Sequence, residues 1–242
     1  VTGNVRGNGN RSTSSQRPTY VGGIVGFIES SSASNDDRDS VIEDCKATDV
    51  AVYISENQNT IGGVGGIAGY AKNTIIADSE VKTNDNSGNH IYGDDAYVGG
   101  IVGIQEYSDL YNVKMVSGSI GSNSSYAVGG LVGGYNRGQL KVGQFSGTII
   151  KPTNTNRYDA AFIGTRINNA GFVYGDNGDI AYLFTDSATK AQTGICGSKI
   201  DEDTNYGKDA HIGYWNDVNK KYTLVTGNNI DNQDDYYYQE LE

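Results

Sequence analysis

The chain has 242 residues, with 29 acidic against 18 basic side chains and a net charge of −11. That balance excludes the clustered Lys and Arg that nucleic acid or an anionic membrane surface requires, and no apolar run approaches the roughly 20 residues that span a bilayer. The 34 glycines are about twice the usual share of roughly 7%, and 18 tyrosines stand against 5 phenylalanines, a composition suited to sheet surfaces with apolar bodies and polar tips.

The chain opens inside a pattern. Val1-Thr2-Gly3-Asn4-Val5 matches Val116-Ser117-Gly118-Ser119-Ile120 and Phe145-Ser146-Gly147-Thr148-Ile149, and both later segments precede a glycine pair. With no methionine at position 1, this predicts further units N-terminal to residue 1 in a parent protein. The central stretch is Tyr20-Val21-Gly22-Gly23-Ile24-Val25-Gly26. It returns at Gly65-Gly66-Ile67-Ala68-Gly69, at Tyr97-Val98-Gly99-Gly100-Ile101-Val102-Gly103 and at Val128-Gly129-Gly130-Leu131-Val132-Gly133. A worn copy is Ala160-Ala161-Phe162-Ile163-Gly164. A fixed period of 20–50 residues marks a stacked-repeat architecture.

From the last glycine of the motif to the next apolar strand position is 7 residues in three copies, and 16 in the first. The surplus falls within the polar run 30–40, an insertion at a corner, where stacked repeats tolerate it. The second strand reads Ile42, Cys45 and Ala47; Ile76, Ser79 and Val81; Leu110, Val113 and Met115; Leu140, Val142 and Phe145. This is approximate alternation, the mark of a half-buried strand. The Asn, Asp, Ser and Gly between are turn residues, and no stretch has a helical period.

Three short strands per unit of about 30 residues describe one coil of a parallel β-helix. Coils stack at about 4.8 Å, so glycine lies on glycine, where a Cβ would block close approach. Ile24, Ile67, Ile101, Leu131 and Phe162 form one apolar column, and Val25, Ala68, Val102, Val132 and Ile163 form another. Strand alternation expects one to point into the bore and the other outward.

The motif Gly-Gly-Ile/Leu-Val-Gly, an apolar strand seven residues on, then Val-Ser-Gly-Ser-Ile, resembles the GLUG repeat over roughly residues 1–175. That repeat is similar to those of large bacterial cell-surface proteins, both adhesins and the immunoglobulin-A-cleaving zinc peptidases, where it builds a β-helical part. The resemblance implies a scaffold. From about Ile180 the pattern stops. Ile180-Ala181-Tyr182-Leu183-Phe184 and Tyr222-Thr223-Leu224-Val225 suggest a β-rich cap, since the open end of a stacked array exposes strand edges.

Candidate chemistry is sparse. The two histidines, His90 and His211, form no His-Glu-x-x-His zinc motif and read as solvated loop residues; no Gly-x-Ser-x-Gly nucleophile elbow occurs. Two cysteines do not make a disulfide framework; Cys45 reads as a small buried residue, with a Cys45–Cys196 bridge as the alternative. Asp36, Asp37 and Asp39 cluster in the insertion, and no Lys or Arg column recurs, against the polysaccharide-degrading β-helices. The loop 201–209 offers Asp201, Asp203, Asn205 and Asp209 as alternating oxygen ligands for calcium, but Tyr206 stands where an EF-hand needs glycine; the alternative is an acidic surface loop. Tyr20, Tyr97, Tyr126 and Tyr158 each precede the glycine pair by two or three residues, and Phe27 and Tyr70 follow the motif. Such a ladder can bind a sugar or peptide, or only stabilise the stack.

The sequence therefore predicts an all-β chain: a right-handed parallel β-helix (β-solenoid) of about five coils over 1–179, with a capping or flanking β-rich segment over 180–242. The function expected is non-enzymatic, an adhesin stalk or binding scaffold at an extracellular bacterial cell surface. Its partner is a host or cell-surface glycan or protein, with no catalytic residue, no cofactor unless calcium, no nucleic acid and no membrane insertion. The alternatives are a carbohydrate-degrading β-helix enzyme and the non-catalytic scaffold of a surface peptidase.

Overall fold

Short runs of Val, Ile and Ala broken by Gly, Asn and Asp suit a pleated backbone and cannot sustain a helix. Every regular element among the described residues is a β-strand. The computed structural model describes residues 1–7, 18–31, 40–54, 61–83, 90–154 and 157–167, and the backbone of strands Ala181–Thr185, Ala210–Asn216, Lys221–Val225 and Glu240–Leu241.

The strands form three sheets. The first holds Gly3–Gly7, Val50–Ile54, Ile91–Gly93, Ser119–Ile120 and Thr148–Ile149; the second holds Tyr20–Gly22, Gly62–Gly65, Ala96–Gly99, Ala127–Gly129 and Tyr158–Ala160. The third gathers the strands that follow each glycine motif, among them the long Val102–Ser117 and Val132–Phe145. The chain visits first, second and third sheet in that order and then begins again. Each return lays a strand parallel to the one before.

Register follows the sequence pattern. Val21 pairs with Val64, Val64 with Val98 and Val98 with Val128. Ile42, Ile76, Leu110 and Leu140 align likewise, as do Ala47, Val81, Met115 and Phe145. All of these side chains belong to one continuous apolar core. Glu29 pairs with Lys72 and Ser40 with Thr74, so 11 residues of the first pass span what 2 span in the next. The insertion therefore sits at that corner; residues 32–39 themselves lie outside the described residues.

Two sequence expectations are corrected by the backbone. The chain bends at the glycine pair, over Gly66-Ile67, Gly100-Ile101 and Gly130-Leu131. Alternation holds only along an unbroken pleat, so beyond the first pass both apolar columns end up buried. Ile67, Ile101, Leu131, Phe162, Ala68, Val102, Val132 and Ile163 are at most 1% exposed. The second correction concerns the approximate alternation of the following strand. Asp44, Asp78, Asn112 and Val142 all adopt the left-handed conformation, with φ of 52, 46, 47 and 53°. They form one corner column, which stretches the spacing of inward residues at that point. Val142, read from sequence as the strand position, is the corner residue, and Gly143 takes the column beside Val113. A second left-handed corner column holds Asn73, Tyr107 and Arg137.

Cys45 is half-buried rather than buried, and its thiol is free. It donates to the Glu43 carbonyl at 3.3 Å; Cys196 lies outside the described residues. Beyond residue 180 the third sheet continues. Leu183 pairs in parallel with Gly143 and with Ile212, and Ala210–Asn216 then pairs antiparallel with Lys221–Val225. The strands expected over 180–184 and 222–225 are present within a residue, and Ala210–Asn216 is an additional one. His211 accordingly lies in a strand, not a loop.

Candidate functional site

The four tyrosines singled out from sequence do not form one ladder. In the second sheet Tyr20 pairs with Gly63, Gly63 with Tyr97, Tyr97 with Ala127 and Ala127 with Tyr158. One column thus alternates a large ring with a small residue. Tyr126 sits one residue earlier, at a bend before its strand. Its ring reaches between the two rings that flank Ala127 in register. It meets Tyr97 edge-on at 5.1 Å and Tyr158 edge-on at 6.5 Å, the arrangement favoured by the aromatic quadrupole. Tyr97, Tyr126 and Tyr158 are therefore brought together.

Tyr20 belongs to a separate cluster. Gly63 places no ring between it and Tyr97, and Tyr20 packs instead on Phe27 at 5.7 Å and Tyr70 at 4.9 Å. Phe27 and Tyr70, successive residues of one parallel register, stack at 5.0 Å with their planes 6° apart. Phe27 is 49% exposed and Tyr20 and Tyr70 are half-buried. The Tyr70 hydroxyl donates to Glu106 Oε2 at 2.8 Å. Lys72 Nζ, on the same strand, lies 2.8 Å from Glu29 and 3.9 Å from Glu106.

Burial pushes the Tyr97 phenol up to about 12, helped by Tyr126 and Tyr158 nearby. Burial, then the hydrogen bond to Glu106, raises that of Tyr70, and burial with Glu106 raises that of Tyr20. Lys72 is raised first by its hydrogen bond to Glu29. At neutral pH these rings are neutral, so the strip offers apolar faces with hydroxyl tips. A third stack, Tyr53 on Tyr92 at 5.0 Å with His90 against Tyr92 at 4.4 Å, lies on the first sheet. It places half-buried His90 in an aromatic stack rather than in free solvent.

Beside the Tyr97–Tyr126–Tyr158 cluster lies a polar cleft of about 290 Å³, lined by Asp95, Asn123, Ser124, Thr153, Asn154 and Arg157. Three successive passes build it. Asp95, at a left-handed turn with φ 51°, donates its amide to the Ser124 carbonyl at 2.9 Å. Thr153 donates to the Asn123 carbonyl at 3.0 Å. Arg157 ion-pairs with Asp95 through Nη2, and its guanidinium lies 5.1 Å from the centre of the Tyr126 ring. Sequence reasoning missed this cleft, because its residues share no motif and meet only through the stacking register.

Among the described residues no group of three His, Cys, Asp or Glu could hold a metal ion. The proposed calcium ligands Asp201, Asp203, Asn205 and Asp209 lie outside the described residues. Comparison with known proteins gives no match to a family model, a curated protein or a solved structure. The GLUG resemblance rests on the motif residues alone.

Proposed function

We propose that the chain is the scaffold segment of an extracellular bacterial surface protein, a right-handed parallel β-helix of about five coils that binds a glycan or protein and performs no catalysis. The cyclic order of the three parallel sheets supports the helix reading. Right-handedness follows the general preference of parallel crossovers. The residues 180–242 serve as its cap. The observation that carries the binding reading is the aromatic strip: six rings, Tyr20, Phe27, Tyr70, Tyr97, Tyr126 and Tyr158, none of them fully buried, grouped by ring contacts. Aromatic faces open to water are what sugars and peptides dock upon, and the rings of Tyr70, Tyr97, Tyr126 and Tyr158 stay half-buried in passes whose aliphatic columns are buried.

The test is binding of the purified segment to an array of immobilised cell-surface glycans and to a panel of host matrix proteins. Wild type should bind at least one with retention that falls about threefold to tenfold in Phe27→Ala and in Tyr158→Ala, with melting unchanged in Phe27→Ala. Release of shortened oligosaccharides from a bound polysaccharide would replace this reading with the carbohydrate-degrading one.

A further inference from the structure

The spacing of the tyrosines in the second sheet says what kind of chain that surface takes. Tyr20, Gly63, Tyr97, Ala127 and Tyr158 are register partners on successive passes, so a ring recurs on every second pass. Parallel strands lie about 4.7–4.9 Å apart, which sets neighbouring tyrosine positions of the column about 9.4–9.8 Å apart and the first and third about 19 Å apart. All three residues are half-buried, so each keeps part of its surface open. The hydroxyls of Tyr20, Tyr97, Tyr126 and Tyr158 have no hydrogen-bond partner among the described residues and are not buried. They are donors turned to water.

That spacing selects among the chain conformations that lie along the stacking axis. A polyproline II segment has three residues per turn and rises about 3.1 Å per residue, so the same face returns about every 9.3 Å. Two of its turns cover about 18.6 Å, within about 1 Å of the span of the column. An extended strand repeats its face after two residues, at about 6.4–6.8 Å, and falls out of step at once. An α-helix repeats after two turns, at about 10.8 Å, and is out of step by about 2–3 Å at the third ring. The side chains agree with the spacing. Polyproline II has no internal hydrogen bonds and leaves its carbonyls open, and the tyrosine hydroxyls are donors for them. Proline rings are apolar and uncharged, and each tyrosine ring presents an apolar body. Tyr126 meets Tyr97 and Tyr158 edge-on, and Tyr70 packs on Tyr20. These contacts hold the rings before a ligand arrives, so little side-chain freedom is lost on binding.

We infer that the tyrosine column of the second sheet docks a proline-rich polyproline II segment of a partner protein, which lies across the passes with one proline against each of Tyr20, Tyr97 and Tyr158. Such a segment is already extended in solution, so it gives up little conformational freedom when it docks on an aromatic surface. The assignment rests on the binding-scaffold reading above and names the occupant of the strip as a peptide of this conformation rather than a glycan.

The experiment is ligand-observed NMR titration of the whole chain with acetylated decaproline, with tetraproline, with a Gly-Ser peptide of decaproline's length and with a β-linked gluco-hexasaccharide. Decaproline should bind saturably, with Kd on the order of 0.1–1 mM. Tetraproline reaches two rings at most and should bind about tenfold more weakly, and the Gly-Ser peptide should not saturate. Tyr158→Ala should weaken decaproline binding about fivefold or more. Because truncating a packed ring also disturbs the fold, Tyr97→Phe serves as a second variant: it keeps the ring and removes the hydroxyl, and should weaken binding about threefold with melting unchanged. Exposed Lys82→Ala, remote in sequence from the column, should leave binding as it is. No saturable binding of decaproline, equal binding of tetraproline and decaproline, or binding unaltered in both Tyr158→Ala and Tyr97→Phe would each overturn the inference. Binding of the hexasaccharide but not of decaproline, lost in Tyr158→Ala, would overturn this inference alone and leave the scaffold reading standing with a glycan on the strip. Decaproline bound through Tyr158 by a protein that retains no member of the glycan and matrix-protein panel would uphold the inference and show that the panel lacked the partner.

Discussion

At the scale of single residues, the corner column of Asp44, Asp78, Asn112 and Val142 shows how local chemistry meets a backbone demand. Asp and Asn enter the left-handed region more readily than other residues with a side chain, because their short polar groups can bond locally. Here Asn112 Nδ2 also reaches Asp78 Oδ1 at 2.5 Å, linking two passes at the corner. Val142 holds the same conformation with a β-branched side chain and φ of 53°, a combination that costs on the order of 1–3 kcal/mol. The neighbouring passes over-determine the turn and hold it there: Tyr111 pairs with Lys141 on one side of it and Val113 with Gly143 on the other. Val142→Asn should therefore stabilise the protein by about 1 kcal/mol. The urea midpoint would rise with its slope unchanged. The reverse change, Asn112→Val, should lower it by at least as much, since it also removes the bond to Asp78. Equal midpoints in all three proteins would mean that the corner is not under strain.

At the scale of elements, the glycine motif is a bend whose tightness is set by its neighbours above and below. A Cβ on Gly100 would lie 2.1 Å from the Gly130 carbonyl oxygen and 3.1 Å from both Cβ and Cγ of Met115. The obstacle at closest range is backbone, which cannot rotate away. At Gly26, in the first pass, the one atom closer than 3.0 Å is the Tyr20 carbonyl oxygen at 2.9 Å. Gly100→Ala should thus cost about 1–3 kcal/mol through overpacking and Gly26→Ala less, because its backbone neighbour has to give way by far less, compared by denaturant unfolding; a Gly26 variant as damaged as the Gly100 variant would refute this account of the motif. The worn copy fits the same logic. Ala160-Ala161 replaces the glycine pair in the last strand of the second sheet, where no described strand pairs on the far side. This much was legible in the sequence, because parallel stacking sets like residues upon like and leaves a period to be read. The bend was not legible, since a glycine pair is compatible with a straight strand as well as a turned one. The one-residue offset of Tyr126 was legible, but not its consequence, because that depends on Tyr97 and Tyr158 flanking Ala127 in the neighbouring passes. The Arg157 cleft was beyond reach for the same reason: Asp95, Ser124 and Arg157 are unremarkable in their own loops and acquire meaning only once three passes are in register.

At the scale of the whole chain, the first pass is outermost in the stacked sheets among the described residues. Gly3–Gly7, Tyr20–Gly22 and Lys46–Thr48 each end a sheet, while Val25–Glu29 pairs only with Ala68–Lys72 and Ser40–Glu43 only with Thr74–Ala77. No further strand pairs with the first pass among the described residues, although Val1 donates to the Lys46 carbonyl at 2.7 Å and accepts from the Thr48 amide at 2.9 Å. The consequence is visible in the side chains. Ile24 is 37% exposed where its equivalents Ile67, Ile101 and Leu131 are fully buried, and Val41 is 54% exposed where Ile75, its register partner, is half-buried. A row of open backbone groups beside apolar side chains is a template for adding another strand. Glu29, Glu43 and Lys46 interrupt this edge with charge, yet they alternate with Ile28, Ile42 and Ala47 and leave the apolar positions uncharged. In the 242-residue segment by itself, edge-to-edge association of two copies should follow, with an apparent mass in sedimentation velocity that rises with protein concentration. Ile24→Lys combined with Val41→Lys puts charge at two exposed positions of the edge and removes little buried apolar surface, so it should return the protein to monomer while lowering stability by less than about 1 kcal/mol. Phe27 is left untouched so that the aromatic strip stays intact and ligand binding can be compared in the same preparation. Wild type that remains monomeric across the concentration range, or a double variant that associates as strongly as wild type, would show that this face is not the one through which copies meet.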